Sequence, residues 1–265
     1  TDSVRPFLLA VGATQYERAA RPGDHGIVTG SDSSPGVESP RMDDGLLDRY
    51  RSAAGATAYA SKYEDSWLRR LSSRRELRLV RRCLDRAGAQ DVLLDVPCAA
   101  GRLVPVLLER ARRVTALDLS PAMVAVASEA LAAEIASGAA VVGVGDAERL
   151  PFEDGAFDTV VSWRLLHHLT DRARRVRVLT ELGRVARRAV VVSWNDAGTW
   201  KARFQRWRRR ARRSQALARA ALAAEAAEAG LALDAAWRLS SLFSLQAGTV
   251  LRKRGATSSP ATAAE

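Results

Sequence analysis

The stretch that decides the fold is Val92-Leu93-Leu94-Asp95-Val96-Pro97-Cys98-Ala99-Ala100-Gly101-Arg102, followed by Val114-Thr115-Ala116-Leu117-Asp118. Each begins as a short, largely apolar run that ends on an aspartate. Each gives way to helical spacing, Leu103 to Arg110 after the first and Ser120-Pro121 to about Ser137 after the second. Further along the chain, Ala139 to Val144 and Phe157 to Ser162 read as a third and a fourth strand. A helix from about Asp171 to Val185 precedes a fifth strand, Ala189 to Ser193. Strands that are apolar throughout and alternate with helices predict a parallel sheet covered on both faces. Leu231 to Ser244 and Gly248 to Arg254 look like two final strands. The expectation is an α/β, doubly wound, mostly parallel seven-stranded sheet with helices on both faces and a terminal antiparallel strand pair.

On the N-terminal side, residues 1–45 are dense in Gly, Pro, Ser and Asp and read as a flexible extension. From Leu46 the spacing becomes helical. Tyr59, Tyr63, Trp67 and Leu71 form one stripe and Leu77, Leu79, Val80 and Leu84 a second, so residues 46–90 read as a helical cap. Ser72-Ser73 before Glu76 resembles a capping box opening the second helix, and Gly88 is placed to end it. The single domain then spans 46–255, with its core at 91–195, basic and Ala-rich helices at 199–229, terminal strands at 231–254 and a frayed tail at 256–265.

Composition narrows the function. With 265 residues and 47% hydrophobic content, the chain can bury a sizeable core. Two cysteines and three histidines give no disulfide scaffold and no structural zinc set, so no metal is expected. No uncharged apolar run approaches the roughly 18–20 residues of a membrane span, and a cytoplasmic location is expected. The net charge of +11 invites an anionic partner. All but Lys62, Lys201 and Lys253 of the basic residues are arginine, however, a bias that coding composition alone can produce. The basic residues concentrate between Trp200 and Ser214, where eight Lys and Arg occur with no acid among them. There Trp200, Phe204 and Trp207 fall on one helical face. Such a helix suits an anionic membrane surface, making the protein peripheral to the membrane, or an anionic ligand; docking onto the sheet and RNA tracking are the other readings.

In a doubly wound sheet, ligands sit at the carboxyl ends of the strands. Asp95, the loop Pro97 to Gly101, Asp118, Asp146-Ala147 and Ser162 occupy those ends here. Asp118 can accept both hydroxyls of a ribose, and Asp146 can accept from an exocyclic amine. The order and spacing of LLDVPCAAGR (93–102), VTALDLSPAM (114–123), GDAERLPF (145–152) and FDTVV (157–161) resemble the class I S-adenosylmethionine-dependent methyltransferases, nearest the quinone-biosynthesis branch. The resemblance covers about Asp91 to Asn195 and implies a Rossmann-like fold with S-adenosylmethionine as cofactor. It implies that the first loop, with Asp95, Pro97, Cys98, Ala99 and Gly101, faces the methionine portion and Asp118 the ribose, that Met123 and Ala147 line the adenine with Asp146 on its amine, and that Leu119 and Ser162 are further cofactor candidates. The loop departs from the family: Pro97 and Ala99 replace two of its three glycines, removing conformational freedom and one donor. A dinucleotide dehydrogenase needs those glycines and is excluded.

The acceptor is less legible. Ser162-Trp163-Arg164-Leu165 lacks the Asp/Asn-Pro-Pro-aromatic motif of base amino-methylases, Cys83 and Cys98 are misplaced for base-carbon chemistry, and no acidic cluster suggests a metal-dependent O-methyltransferase. A small or lipid-like organic acceptor is the remaining class. His167 or His168 is a candidate base, and Arg164, Trp200, Arg203 and Trp207 are candidate acceptor contacts. Tyr59 and Tyr63 are candidates to cover the ligand. The alternatives are a binding module that has lost its cofactor through Pro97 and Ala99, and an RNA-directed methyltransferase.

Overall fold

The structure, a computed structural model, describes residues 67–88, 91–207, 216–240 and 244–254. In chain order it contains α1 (Trp67–Ala87), β1 (Val92–Asp95), α2 (Val104–Leu108), β2 (Arg113–Asp118), α3 (Pro121–Ala130), α4 (Ala132–Ala136) and β3 (Ala140–Val144). Then follow β4 (Phe157–Ser162), a single 3-10 turn (Leu166–His168), α5 (Arg172–Val185), β5 (Ala186–Asp196), α6 (Trp200–Trp207), β6 (Ala216–Leu217), α7 (Arg219–Glu228), β7 (Leu231–Arg238) and β8 (Gln246–Lys253).

The sheet runs β3-β2-β1-β4-β5-β8-β7, which supplies the seven strands expected, and the two-residue β6 pairs beside the end of β5 as an eighth. Strands β1 to β5 are parallel, and β8 is antiparallel to both β5 and β7. The alternation of side chains along a strand sorts the apolar residues onto two faces. Leu94, Val160, Val190 and Val192 pack under α5 and α7. Leu93, Val161 and Val191 pack under α1 and α2. Because β2 and β4 flank β1, the chain reverses its winding direction there, and a crevice opens at the strand ends.

Three local expectations change. Ser72 and Ser73 do not open a helix, because α1 runs unbroken from Trp67 to Ala87; serine is only mildly unfavourable in a helix interior, and Glu76 points into the core, 1% exposed. The helix begun by the Ser120 cap, whose hydroxyl accepts from the Met123 N–H, divides at Leu131 into α3 and α4. This carries Leu131 under the positive-φ Gly101, where an added Cβ would lie 2.7 Å from it. The Ala-rich helix begins at Arg219 rather than Ala216, because Ala216–Leu217 join the sheet beside Asn195 and Asp196. Residues 1–66, with Tyr59 and Tyr63, and 208–215, the latter half of the basic segment, lie outside the described residues, as does the tail beyond 254.

Candidate functional site

A cavity of about 280 Å³ opens at the carboxyl ends of β1 to β4. Its cofactor side is made by local backbone geometry. After β1 the chain turns through Ala99 and Gly101, both at positive φ (48° and 75°). Asp118, at the end of β2, accepts the Ala99 N–H on Oδ2 and the Ser120 N–H on Oδ1, each at 2.9 Å. The carboxylate is thereby fixed in the wall while each oxygen keeps lone-pair capacity for a ligand hydroxyl. Burial pushes its pKa up, against the pull of those two amides. Met123 and Ala147 are buried beside it, and the exposed Asp146 carboxylate accepts from Glu148 N at 2.9 Å.

The candidate cofactor residues therefore separate. Pro97, Ala99, Asp118, Leu119, Met123, Asp146 and Ala147 line the cavity; Asp95, Cys98, Gly101 and Ser162 lie behind it. Neither carboxylate oxygen of Asp95 has a hydrogen-bond partner, and burial, with Asp118 nearby, pushes its pKa up to about 8. It sits beneath the loop as a neutral carboxyl. The thiol of Cys98 is also pushed up by burial, so it is not a reactive thiolate. Pro97 and Ala99 leave the loop intact: its two left-handed turns form, and Ala99 donates the N–H that orients Asp118. An acid poised for hydroxyls, an apolar slot and a second acid at its rim fit the nucleoside part of S-adenosylmethionine.

The candidate acceptor side of the cavity is formed by residues 163–169 after β4. His167 and His168 both line the cavity, their ring centroids 4.1 Å apart. Burial, the neighbouring His168 and the Arg164 charge pull His167 down to about 3, and burial and Arg164 also lower His168. Arg164 lines the cavity as well, in a left-handed conformation (φ 64°) held by donation of its N–H to Ser193 Oγ at 2.7 Å. Its guanidinium turns to Glu76, with Nε 2.8 Å and Nη2 3.3 Å from the carboxylate. Glu76 also accepts from Trp163 Nε1 at 2.8 Å, Arg102 Nη2 at 2.7 Å and Gln246 Nε2 at 2.7 Å. Against the cost of burial, Arg164 and Arg102 pull Glu76 down to about 2. The sequence signal for this residue was present, an acid three, four and seven residues before the apolar Leu79, Val80 and Cys83 of one helix, but it also fits a capping box.

At the far end of the same loop, Arg175 donates to the Leu169 and Thr170 carbonyls and forms a buried bidentate pair with Glu225. Trp200 and Phe204 are 61% and 47% exposed on α6, which starts just beyond the carboxyl end of β5. Neither lines the cavity. The side chains of Arg203 and Trp207 lie outside the described residues. Among those residues, no group of His, Cys, Asp and Glu has a metal-binding arrangement.

Residues 94–192 match the family described as "Methyltransferase domain". The chain is 29% identical over 128 residues to tocopherol O-methyltransferase of Arabidopsis thaliana, covering 45% of this chain and 37% of that protein. It is 36% identical over 100 residues to the malonyl-[acyl-carrier protein] O-methyltransferase of Serratia marcescens, covering 38% and 36%. The chain spans 35–60% of the length of the curated relatives it matches. Magnesium protoporphyrin IX methyltransferase of Synechocystis, solved with bound S-adenosylhomocysteine, shares the fold at 17% identity. Its TM-score is 0.66, with 80% of this chain and 100% of that one covered. The family match, residues 94–192, coincides with the segment that builds the crevice at the ends of β1 to β4, and the fold is one shared with a methyltransferase solved with S-adenosylhomocysteine.

Proposed function

We propose that the chain transfers a methyl group from S-adenosylmethionine to a small or lipid-like organic acceptor of low charge, on the quinone-biosynthesis side of its class. The observation that carries this reading is the charge state of the cavity. Each cation in its wall has an internal partner, Arg164 with Glu76 and Arg174 with Glu148. The rest of the acceptor-side lining, including Trp163, Leu165, Leu169 and Val178, is largely apolar. An ionic acceptor would find no counter-charge there, whereas an apolar one would be desolvated favourably. Relatives named for tocopherol and ajmaline support an organic acceptor of this kind.

S-adenosylmethionine supplies a sulfonium methyl group that can pass directly to a nucleophilic atom. The chain's own contribution is to hold the two reactants in line and exclude water. Asp118 would accept from the ribose hydroxyls, Met123 and Ala147 would flank the adenine, and Asp146 would accept from its amine. His167 is neutral at pH 7 and can accept a hydrogen bond from an acceptor O–H. With a pKa of about 3 it is a weak base, so alignment supplies more of the rate than proton abstraction. The exposed Trp200 and Phe204 on α6, within a stretch of sequence (Trp200 to Ser214) that carries eight Lys and Arg and no acid, would bring the protein to an anionic membrane surface. No helix among the described residues is long and apolar enough to cross a membrane.

Calorimetric titration with S-adenosylhomocysteine tests the cofactor half of this reading. Wild type should bind, and Asp118→Ala should bind at least about tenfold more weakly, the loss expected for charge-assisted contacts to two hydroxyls. No binding to folded wild type at saturating ligand would overturn it.

A further inference from the structure

We propose that Glu76 is a specificity-determining and positioning residue of the acceptor site: it fixes Trp163 and Arg164 in the cavity wall and neutralises Arg164, so that the site gives an anionic acceptor no preference over an uncharged one. The inference rests on the reading of residues 163–169 as the acceptor wall. It goes beyond that reading by assigning the site's charge preference to a residue outside the methyltransferase-domain match, which begins at residue 94.

Three features of the geometry support it. Glu76 is 1% exposed, yet it accepts from four side chains on separate parts of the chain: the segment behind the cofactor loop (Arg102), the acceptor wall (Trp163 and Arg164) and β8 (Gln246). A buried carboxylate is tolerated only when its lone pairs are fully used, and here they are used by the two consecutive residues that open the acceptor wall. Trp163 has little freedom to move elsewhere, since its ring packs against Gly248, where even an added Cβ would approach Cη2 to 2.8 Å. The third feature is the backbone of Arg164. Its left-handed φ is uncommon for a long side chain and is strained. The Glu76 ion pair, together with the N–H bond to Ser193, offsets that strain and turns the guanidinium along the wall towards α1.

The consequence is a charge rule. With Glu76 in place, the Arg164 cation is compensated and an anionic acceptor gains little from it. With a neutral residue at 76, the same cation faces the cavity without its carboxylate and favours an anion.

The test uses the full chain labelled with ¹⁵N at tryptophan, with the Trp163 indole signal as reporter, assigned through Trp163→Phe. Benzoate and benzamide, nearly equal in shape and differing by one charge, are titrated into wild type and Glu76→Gln. Wild type should respond to the two within about twofold, whereas Glu76→Gln should prefer benzoate by about tenfold or more, the value of one charge-assisted contact. That preference should disappear in Glu76→Gln/Arg164→Gln. An equal response of folded Glu76→Gln to both probes, including no response to either, overturns the proposal. If Glu76→Gln does not fold, Arg164→Gln alone decides. Probe affinities within about twofold of wild type support a cation already neutralised, and a selective loss of benzoate binding of about fivefold or more overturns it. S-adenosylhomocysteine titration of the same samples keeps the two readings apart. Absence of cofactor binding with the expected probe behaviour sinks the cofactor reading only, and cofactor binding with no charge preference in Glu76→Gln sinks this one only.

Discussion

The two halves of the cavity are built by different means. On the cofactor side, Asp118 is held by the N–H groups of Ala99 and Ser120, 19 and 2 residues away. On the acceptor side, Glu76 reaches partners 26, 87, 88 and 170 residues away. The first half follows from strand ends and tight turns. The second exists only once α1 has docked across the sheet. The same contrast governs the two most deeply buried acids. Asp95 has no hydrogen-bond partner and its pKa is pushed up to about 8, whereas Glu76 has four partner side chains and is pulled down to about 2. Burial is nearly equal, so partners decide the sign. Stability contributed by Glu76 is fully present above its unfolded pKa of 4.5 and is lost as pH falls through about 2. Asp95 acts in the opposite sense: the folded state favours its neutral form, so stability falls as pH rises from 3.8 towards about 8.

The largest effect expected from this contrast is at Asp95. Replacement by asparagine keeps the shape and removes the titration. Relative to wild type, Asp95→Asn should gain about 2.5 kcal/mol between pH 4 and pH 6, since unfolded Asp95 ionises near 3.8 and each pH unit well above that is worth roughly 1.36 kcal/mol. Denaturant unfolding of both proteins at the two pH values gives the number. Their difference is needed because His167, pulled down to about 3, gives wild type an opposing slope below pH 6.5. A difference that does not change with pH would mean that Asp95 is ionised in the folded protein, and the asymmetry between the two buried acids would fail.

The same division explains what could be read from the sequence. The five parallel strands, the antiparallel pair and the turn acids Asp118 and Asp146 were legible because their signals are local: apolar runs, a Ser-Pro helix start, an acid at or just after the ends of β1, β2 and β3. Seven of the eleven cofactor candidates line the cavity; Asp95, Cys98, Gly101 and Ser162 share those loops and strand ends but point away from it, a distinction that loop membership cannot make. Arg164 was legible as a cation near the acceptor, but not as one already paired. Its partner stands 88 residues earlier, in a pattern that equally suits a helix cap. A carboxylate that serves four distant donors has no signature of its own in one sequence.

An intermediate effect is expected at α6, the outermost part of the acceptor side. If Trp200 and Phe204 meet an anionic bilayer, Trp200→Ser/Phe204→Ser should weaken binding to vesicles of mixed phosphatidylcholine and phosphatidylglycerol by about tenfold or more, since each aromatic buries a large apolar surface. Wild-type binding should fall with salt and be weak on phosphatidylcholine alone. Sedimentation with vesicles measures both. Absence of wild-type binding to anionic vesicles, with salt-dependent retention of single-stranded RNA, would instead assign the basic segment to nucleic acid.

The smallest effect tests the cofactor half at one of its two departures from glycine. Ala99 holds φ at 48°, a conformation that costs a residue with a Cβ roughly 1–2 kcal/mol. Ala99→Gly removes that cost but enlarges the unfolded ensemble by roughly 0.5–1 kcal/mol. The net gain should be about 0.5–1 kcal/mol, a rise of a few degrees in Tm. Because the Ala99 N–H already points at Asp118 Oδ2, the turn does not need the glycine to form. Affinity for S-adenosylhomocysteine should therefore stay within about twofold of wild type, well short of the tenfold that a lost charge-assisted contact produces. A large gain in affinity on Ala99→Gly would show that the methyl group obstructs the cofactor, and the backbone-built half of the site would be the less finished of the two.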